Sequence, residues 1–236
     1  MIELNADVGE GYDDAGLMPY LTRVSIACGG HVGDAVSMAA ALRLAAEHGV
    51  AAGAHPSYPD RARFGRRPLT ASADDVFAWV TQQTEMLAEQ AARQGIRLTH
   101  LKPHGALYNV AARDPAVAQA IARAVVALDP GLLLVGLSGS QLVIAGRAAG
   151  LGVLNEAFAD RRYRADGHLV SRETPDALIT DPLAAAAQAR ALAQGGPINA
   201  HGGGTIQVRA DTICLHGDSP NALNIARAVH AELNRG

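Results

Sequence analysis

Cysteine is nearly absent: only Cys28 and Cys214 occur, and they form no CxxC pair. Neither a disulfide framework nor a cysteine-based zinc site is indicated. Aromatic residues make up 4% of the chain, which argues against a stacking platform for single-stranded nucleic acid and leaves the core to Ala, Leu, Val and Ile. Charge of one sign is also scarce. The formal net charge is -3 and no long basic run appears, so neither nucleic acid nor an anionic membrane surface is an expected partner. The one local basic cluster, Arg61, Arg63, Arg66 and Arg67, reads as a loop that meets an anion or a carboxylate. No apolar run approaches the ~18 residues of a membrane span, and no charged n-region leads into an apolar h-region. The expectation is a soluble, cytoplasmic protein.

What the chain has is regular alternation. It runs to 236 residues, 49% of them apolar, which suits one filled domain over residues 1–236. Short apolar runs end in polar or glycine-rich segments and are followed by helical patterns. The runs are Ile2–Val8, Arg23–Cys28, Val50–Ala54, Ile96–Leu101, Leu132–Leu137, Gly152–Phe158 and Asp211–Leu215. Asp34, Ser72 with Asp75, Asp114-Pro115, Asp181-Pro182 and Ser219-Pro220 read as helix starts, because a side-chain acceptor there satisfies free backbone N–H groups and proline fits the first helical position. Trp79 and Met86 lie at helical spacing and are expected in the core. Gly202-Gly203-Gly204 lacks a strand–GxGxxG–helix context and reads as a turn or hairpin, not a phosphate loop. Near-continuous apolar strands covered by helices imply a parallel sheet.

A closed α/β barrel of about seven parallel strands, TIM-like, is preferred over an open doubly wound sheet. Polar residues collect at nearly every strand's C-terminal end: Asp7, His31, His55, Lys102, His104, Glu156, Asp160, His216 and Asp218. In a closed barrel they all face one mouth, whereas in an open sheet only those near a switch point meet. The segment Leu101–Tyr108 is central. His100, Lys102 and His104 share one face at period two, and Pro103 keeps Lys102 extended. Such a mouth suits acid–base work on a polar small molecule, with Lys102 able to stabilise an oxyanion or phosphoryl oxygen. Histidines with Asp7, Asp34 or Asp218 leave a divalent metal open, although no HExxH or similar local pair marks one.

The ordered motifs Asn5-x-Asp7-x-Gly9-Glu10, Ile26-Ala27-Cys28-Gly29-x-His31-x-Gly33-Asp34, Gly53-Ala54-His55-Pro56, Phe64-Gly65-Arg66-Arg67, Lys102-Pro103-His104-Gly105-Ala106-Leu107-Tyr108-Asn109, Glu156-x-Phe158-Ala159-Asp160-Arg161-x-Tyr163 and His216-Gly217-Asp218 resemble the LamB/YcsF family. The likeness covers essentially the whole chain. It implies a barrel related to the polysaccharide-deacetylase fold, and ATP-driven opening of the 5-oxoproline lactam to glutamate with 5-oxoprolinase subunits B and C. It assigns Asp7 or Glu10 as general base, His55 or His104 as proton shuttle and Lys102 to the developing negative charge. One of Arg66, Arg67 and Arg161 would clamp the substrate carboxylate, with His31, Glu156, His216 and Asp218 completing the substrate-binding wall. No Walker loop is present, so the ATP site is expected largely on a partner or across an interface. The competing classes are a stand-alone metal-dependent amidohydrolase or carbohydrate deacetylase, and a non-catalytic component that only delivers substrate. A homo-oligomer stays open. Gly30 stands where the family often has a bulkier residue.

Overall fold

The apolar runs pair side by side and close on themselves. In the computed structural model, which describes residues 2–219 and 221–235, β1 (Glu3–Val8), β2 (Arg23–Ala27), β3 (Ala51–His55), β4 (His100–Leu101), β5 (Leu133–Leu137) and β6 (Val153–Phe158) are consecutive neighbours. β7 (Pro197–Asn199) and β8 (Thr205–Gln207) form a separate antiparallel hairpin around the glycine run. β9 (Thr212–Leu215) then pairs in parallel with both β6 and β1, which closes a barrel of seven parallel strands. A closed parallel barrel has no exposed edge and brings all its strand ends to one mouth.

The alternation along each strand sorts the two faces. Leu4, Ala6 and Val8 of β1 and Val24 and Ile26 of β2 are buried in the apolar core. Helices α1 (Asp14–Leu17), α2 (Ala35–Glu47), α3 (Ala73–Arg93), α4 (Gly105–Ala111), α5 (Pro115–Leu128), α6 (Gln141–Ala148), α7 (Pro182–Ala193) and α8 (Ala222–Leu233) follow in chain order. The long α2, α3 and α5 contribute their own apolar stripes to that core. The opposite set fills the barrel with polar groups. Arg23 makes a paired contact with Glu3 at 2.9 Å through each of two nitrogens and reaches His100 Nδ1 at 3.1 Å. Ser25 Oγ lies 3.3 Å from His100 Nε2, and Asn5 donates to Thr212 Oγ1 at 2.8 Å. Gly53 opposes His100 in the β3–β4 register. A Cβ there would stand 2.3 Å from His100 Nδ1. Gly53→Ala is therefore expected to destabilise the fold by about 1–3 kcal/mol, the usual cost of overpacking. Denaturant melting checks this, and a wild-type midpoint would refute it.

The expected helix starts hold at four places. Asp34 and Ser72 form capping boxes, and Asp114 and Asp181 cap helices that begin with proline. The final helix, α8 (Ala222–Leu233), has Asn221 at its cap position, and that side chain makes no capping bond. Pro220 of the expected Ser219-Pro220 start lies outside the described residues.

Two local expectations need correction. The fourth strand pairs over His100–Leu101 only, not from Ile96, because the chain rises out of α3 with Ile96 N–H still bonded to Ala91. After that strand the chain turns at Gly105 into a short helix, α4 (Gly105–Ala111). Met86 is exposed on α3 rather than in the core, while Trp79 is partly buried edge-on to Tyr58.

Candidate active site

Strand ends deliver the charged groups to one place. Asp7 is the penultimate residue of β1, His55 the last of β3, and Lys102 immediately follows β4. Lys102 is 2% exposed and ends in the middle of the barrel. Its ammonium lies 2.8 Å from Glu156 Oε1, 2.9 Å from Asp7 Oδ1, 3.2 Å from Asn5 Oδ1 and 3.3 Å from Cys214 Sγ. Burial alone would strip its proton, but the Asp7 and Glu156 charges outweigh that and hold it charged, well above the usual lysine value. Burial would likewise raise the Asp7 carboxyl, yet His55 and Lys102 hold it well below the usual range. Asp7 Oδ1 is buried without an aligned hydrogen-bond donor among the described residues.

Above this pair sits a cluster of three imidazoles and a second acid. His55 Nε2 is 3.2 Å from Asp7 Oδ2 and 3.0 Å from His104 Nδ1. His31 stacks face to face on His104 at 3.6 Å. Glu10 Oε1 lies 2.8 Å from His31 Nε2, 3.1 Å from His104 Nδ1 and 3.8 Å from His55 Nε2. Burial raises the Glu10 carboxyl, but the His104 and His31 hydrogen bonds more than cancel this and keep it ionised. Burial lowers His31 to about 4 and also lowers His104. Burial lowers His55 as well, but the Asp7 charge outweighs it and the net shift is upward.

The tautomers follow from the backbone. His55 Nδ1 is 2.8 Å from the Lys102 carbonyl and His104 Nε2 is 2.9 Å from the Phe64 carbonyl. A carbonyl only accepts, so both nitrogens carry hydrogen and donate. Each ring then presents its other nitrogen toward Asp7 or Glu10, and these two nitrogens face each other across 3.0 Å. Either a proton or a cation has to lie between them. Asp7, His55 and His104 offer one ligand atom each within 4.8 Å of one another, as do Glu10, His31 and His104, and Asp7, Cys214 and His216. The first set has the orientation of metal-binding histidines, whose far nitrogen donates to a backbone carbonyl.

Two glycines explain two of the motifs. Gly65 and Gly105 both have left-handed backbone, with φ of 61° and 54°. A Cβ on Gly65 would press on His31 and His104 at 3.0–3.1 Å, and one on Gly105 would meet the Gly65 carbonyl at 2.8 Å. The Phe64–Arg67 turn and the start of α4 therefore lock together over the imidazoles. Gly30 is similar: a Cβ there would meet Gln83 Oε1 at 2.2 Å and Ser57 Oγ at 2.4 Å. Gln83 needs that room to pair with both backbone groups of Ser57.

The mouth opens into a cavity of about 1060 Å³ walled by Asp7, Glu10, His55, Lys102 and His104, and also by Arg66, Arg161, His216 and Asp218. Thus most of the residues singled out from sequence come together. His31, Asp34, Arg67, Glu156 and Asp160 do not share that wall, and Asp34 instead caps α2. His31 lies behind His104, Glu156 lies fully buried behind Lys102, and Arg67 is exposed away from the cavity. Asp160 is buried and accepts from the His216 backbone N–H at 2.8 Å and from its Nδ1 at 2.9 Å, which orients that ring against Phe158. Sequence reading missed Asn5 and Cys214 as Lys102 partners, and Arg172 on the wall. Asn5 and Cys214 were visible as inward positions two residues from Asp7 and His216. Arg172 sits in a long loop that carried no signal.

A pH dependence follows from the barrel interior. Burial and the Arg23 charge hold His100 well below the ordinary imidazole value; Lys102 and His55 act the same way and Asp7 opposes them. The unfolded chain binds that proton near pH 6.5, so the stability His100 contributes is present above pH ~6.5 and lost as pH falls below it. His31 and His104 share the sign, and His55 has the opposite one. His100→Asn should reduce the acid-side slope of unfolding free energy by up to about 1.4 kcal/mol per pH unit. Urea titrations from pH 7 to pH 5 measure it, and an unchanged slope would sink the assignment.

The chain has extensive likeness to known proteins. The LamB/YcsF family model matches residues 2–236. The chain is 51% identical to the A subunit of 5-oxoprolinase from Chloroflexus aggregans, over 97% of this chain and 93% of that one. It is 50% identical to the A subunit of 5-oxoprolinase from Methylococcus capsulatus, over 98% and 92%. The crystal structure of a lactam utilization protein from Thermus thermophilus superposes with a TM-score of 0.93 at 44% identity, covering 99% of this chain and 96% of that one.

Proposed function

Because the chain belongs to the LamB/YcsF family, we propose that it is the A subunit of a 5-oxoprolinase, a hydrolase that opens the lactam of 5-oxoproline to glutamate at the expense of ATP. The relatives are named as subunits, and the partners proposed here are subunits B and C. The observation that carries the reading is a buried ammonium, Lys102, that keeps Asp7 ionised beside His55 at the floor of an open cavity.

A five-membered lactam is a stable amide, and phosphorylation of its carbonyl oxygen makes the ring carbon electrophilic. Water adds to that carbon and loses its proton to Asp7, with His55 beside it to pass the proton on. The ring then opens by cleavage of the C–N bond, which requires a proton on nitrogen, and His55 or His104 is placed to deliver it. The acyl phosphate left behind is hydrolysed to glutamate. The Lys102 ammonium favours negative charge as it develops on oxygen. Its longest contact, the 3.3 Å donation to Cys214, is the one most easily given up to a ligand. The ATP site is proposed to lie largely on a partner or across the interface, in keeping with a sequence that has no Walker loop. No helix of the described residues is long and apolar enough to cross a membrane.

The facing nitrogens of His55 and His104 favour a second reading, a metal-dependent amidohydrolase. Asp7, His55 and His104 would hold a divalent ion. Such an ion supplies Lewis acidity and lowers the pKa of bound water. Glutamate release from 5-oxoproline decides between the two, measured with and without ATP, by the chain alone and with subunits B and C. Release only from the full ATP-containing mixture supports the first reading. Release by the lone chain without ATP, with metal retained through chelator-free purification, supports the second.

A further inference from the structure

The family resemblance implies a single arginine, Arg66, Arg67 or Arg161, on the substrate carboxylate, whereas the cavity wall near β6 and β9 gathers more charge than one such clamp needs. Three arginines meet there from two loops: Arg66 after β3, and Arg161 and Arg172 after β6. Asp218, in the turn after β9, joins them. Arg66 donates to Asp218 Oδ2 at 2.6 Å, and Arg172 donates to the same oxygen at 2.8 Å. A guanidinium has five N–H donors, so each of these retains most of its own. Arg161 is 5% exposed and donates one N–H to the Val170 carbonyl at 2.7 Å. Its Nε is buried with no hydrogen-bond partner among the described residues. Burial and the neighbouring Arg172 charge draw Arg161 down to about 10.

Guanidiniums so arranged repel one another unless an anion lies among them. Asp218 supplies one negative charge. Asp160 also faces Arg161, although both of its oxygens already accept from His216. Three arginines against these two acids leave the group short of one negative charge. Elsewhere on the same wall, the two arginines Arg113 and Arg164 are matched in number by the two acids Asp114 and Glu173. A single missing charge matches a carboxylate better than a doubly charged phosphoryl group.

We propose that Arg66, Arg161 and Arg172 form the receptor for the carboxylate of the lactam substrate, with Asp218 as the positioning residue that holds Arg66 and Arg172 together. The proposal rests on the lactam-opening reading above; it adds Arg172, joins three arginines in one receptor, and turns Asp218 from a substrate contact into their positioning residue. It accounts for how one small ring is oriented in a cavity far larger than itself. The planar fork of arginine suits this task, because it meets both carboxylate oxygens at once.

The test uses the assembled complex and two ligands, 5-oxoproline as substrate and 2-pyrrolidinone, the same ring without the carboxylate, as competitor. Arg172→Ala should raise KM for 5-oxoproline at least about tenfold, the scale for losing a hydrogen bond to a charged group, with a much smaller change in kcat. The inhibition constant of 2-pyrrolidinone should stay where it was. Arg172→Lys, which keeps the charge and loses the fork, should also raise KM. Asp218→Asn should raise it less, and Asp218→Glu should recover part of that loss. A fall in kcat with KM unchanged would overturn the proposal and place the arginines on a phosphoryl group. A parallel loss of 2-pyrrolidinone binding would overturn it as general damage to the wall. Absence of glutamate release by the wild-type complex would instead remove the lactam reading itself, and that is seen before any variant is made.

Discussion

Lys102→Met is expected to abolish glutamate release and to cost about 3–5 kcal/mol of stability, the range for removing one partner of a buried ion pair. Two acids depend on that ammonium. Glu156 is fully buried, its Oε1 is held by Lys102 and its Oε2 has no hydrogen-bond partner among the described residues. Asp7 Oδ1 is buried 2.9 Å from the same nitrogen. Without the ammonium each acid must take up a proton or sit charged at low dielectric, and a protonated Asp7 no longer accepts one from water. Typical domains have only about 5–15 kcal/mol in reserve, so the variant should fold with a clearly lowered melting temperature. The double variant Lys102→Met with Glu156→Gln separates the two effects. It removes one orphaned charge and should regain much of the lost stability while staying inactive. Turnover in Lys102→Met near the wild-type level would refute the role of the lysine. A double variant no more stable than the single one would refute the role of Glu156 as its counter-ion.

The same pair shows what was legible in the sequence. Period-two alternation places His100 and Lys102 on one face of a strand, and the closed parallel barrel turns that face inward. The barrel itself was legible because each apolar run was short, helix caps followed at regular places, and imidazoles and acids recurred at run ends. Depth was not legible. Glu156 and Lys102 both stand at strand ends by sequence, yet Glu156 lies below the floor of the cavity and serves Lys102 instead of facing a ligand. Which inward residue forms the floor depends on register around the closed barrel, and register is a property of strand pairing. Arg66 and Arg67 differ for a similar local reason. Gly65 takes a left-handed turn, so only Arg66 comes back over Phe64 to reach Asp218. Arg172 was beyond reach because its loop has neither periodicity nor a cap.

Asp7→Asn is expected to lower turnover about 10²–10⁴-fold, the range for loss of a positioned general base, and Glu10→Gln should cost clearly less. Sequence could not choose between these acids, because both stand about the C-terminal end of the first strand. Their surroundings differ. Glu10 Oε1 is crowded by three imidazole nitrogens at 2.8, 3.1 and 3.8 Å, so its lone pairs are already engaged in orienting His31 and His104. Asp7 has one imidazole, His55, at 3.2 Å, and it shares the cavity floor with Lys102. Asparagine keeps the shape of Asp7 but accepts no proton. It also removes the charge that raises His55, so that imidazole should titrate lower in the variant. The stability cost should be smaller than for Lys102→Met, because Glu156 still faces the ammonium. Steady-state glutamate release with matched folding controls gives the ranking. Glu10→Gln proving the more damaging of the two would move the base to Glu10 and leave Asp7 as the anchor of Lys102.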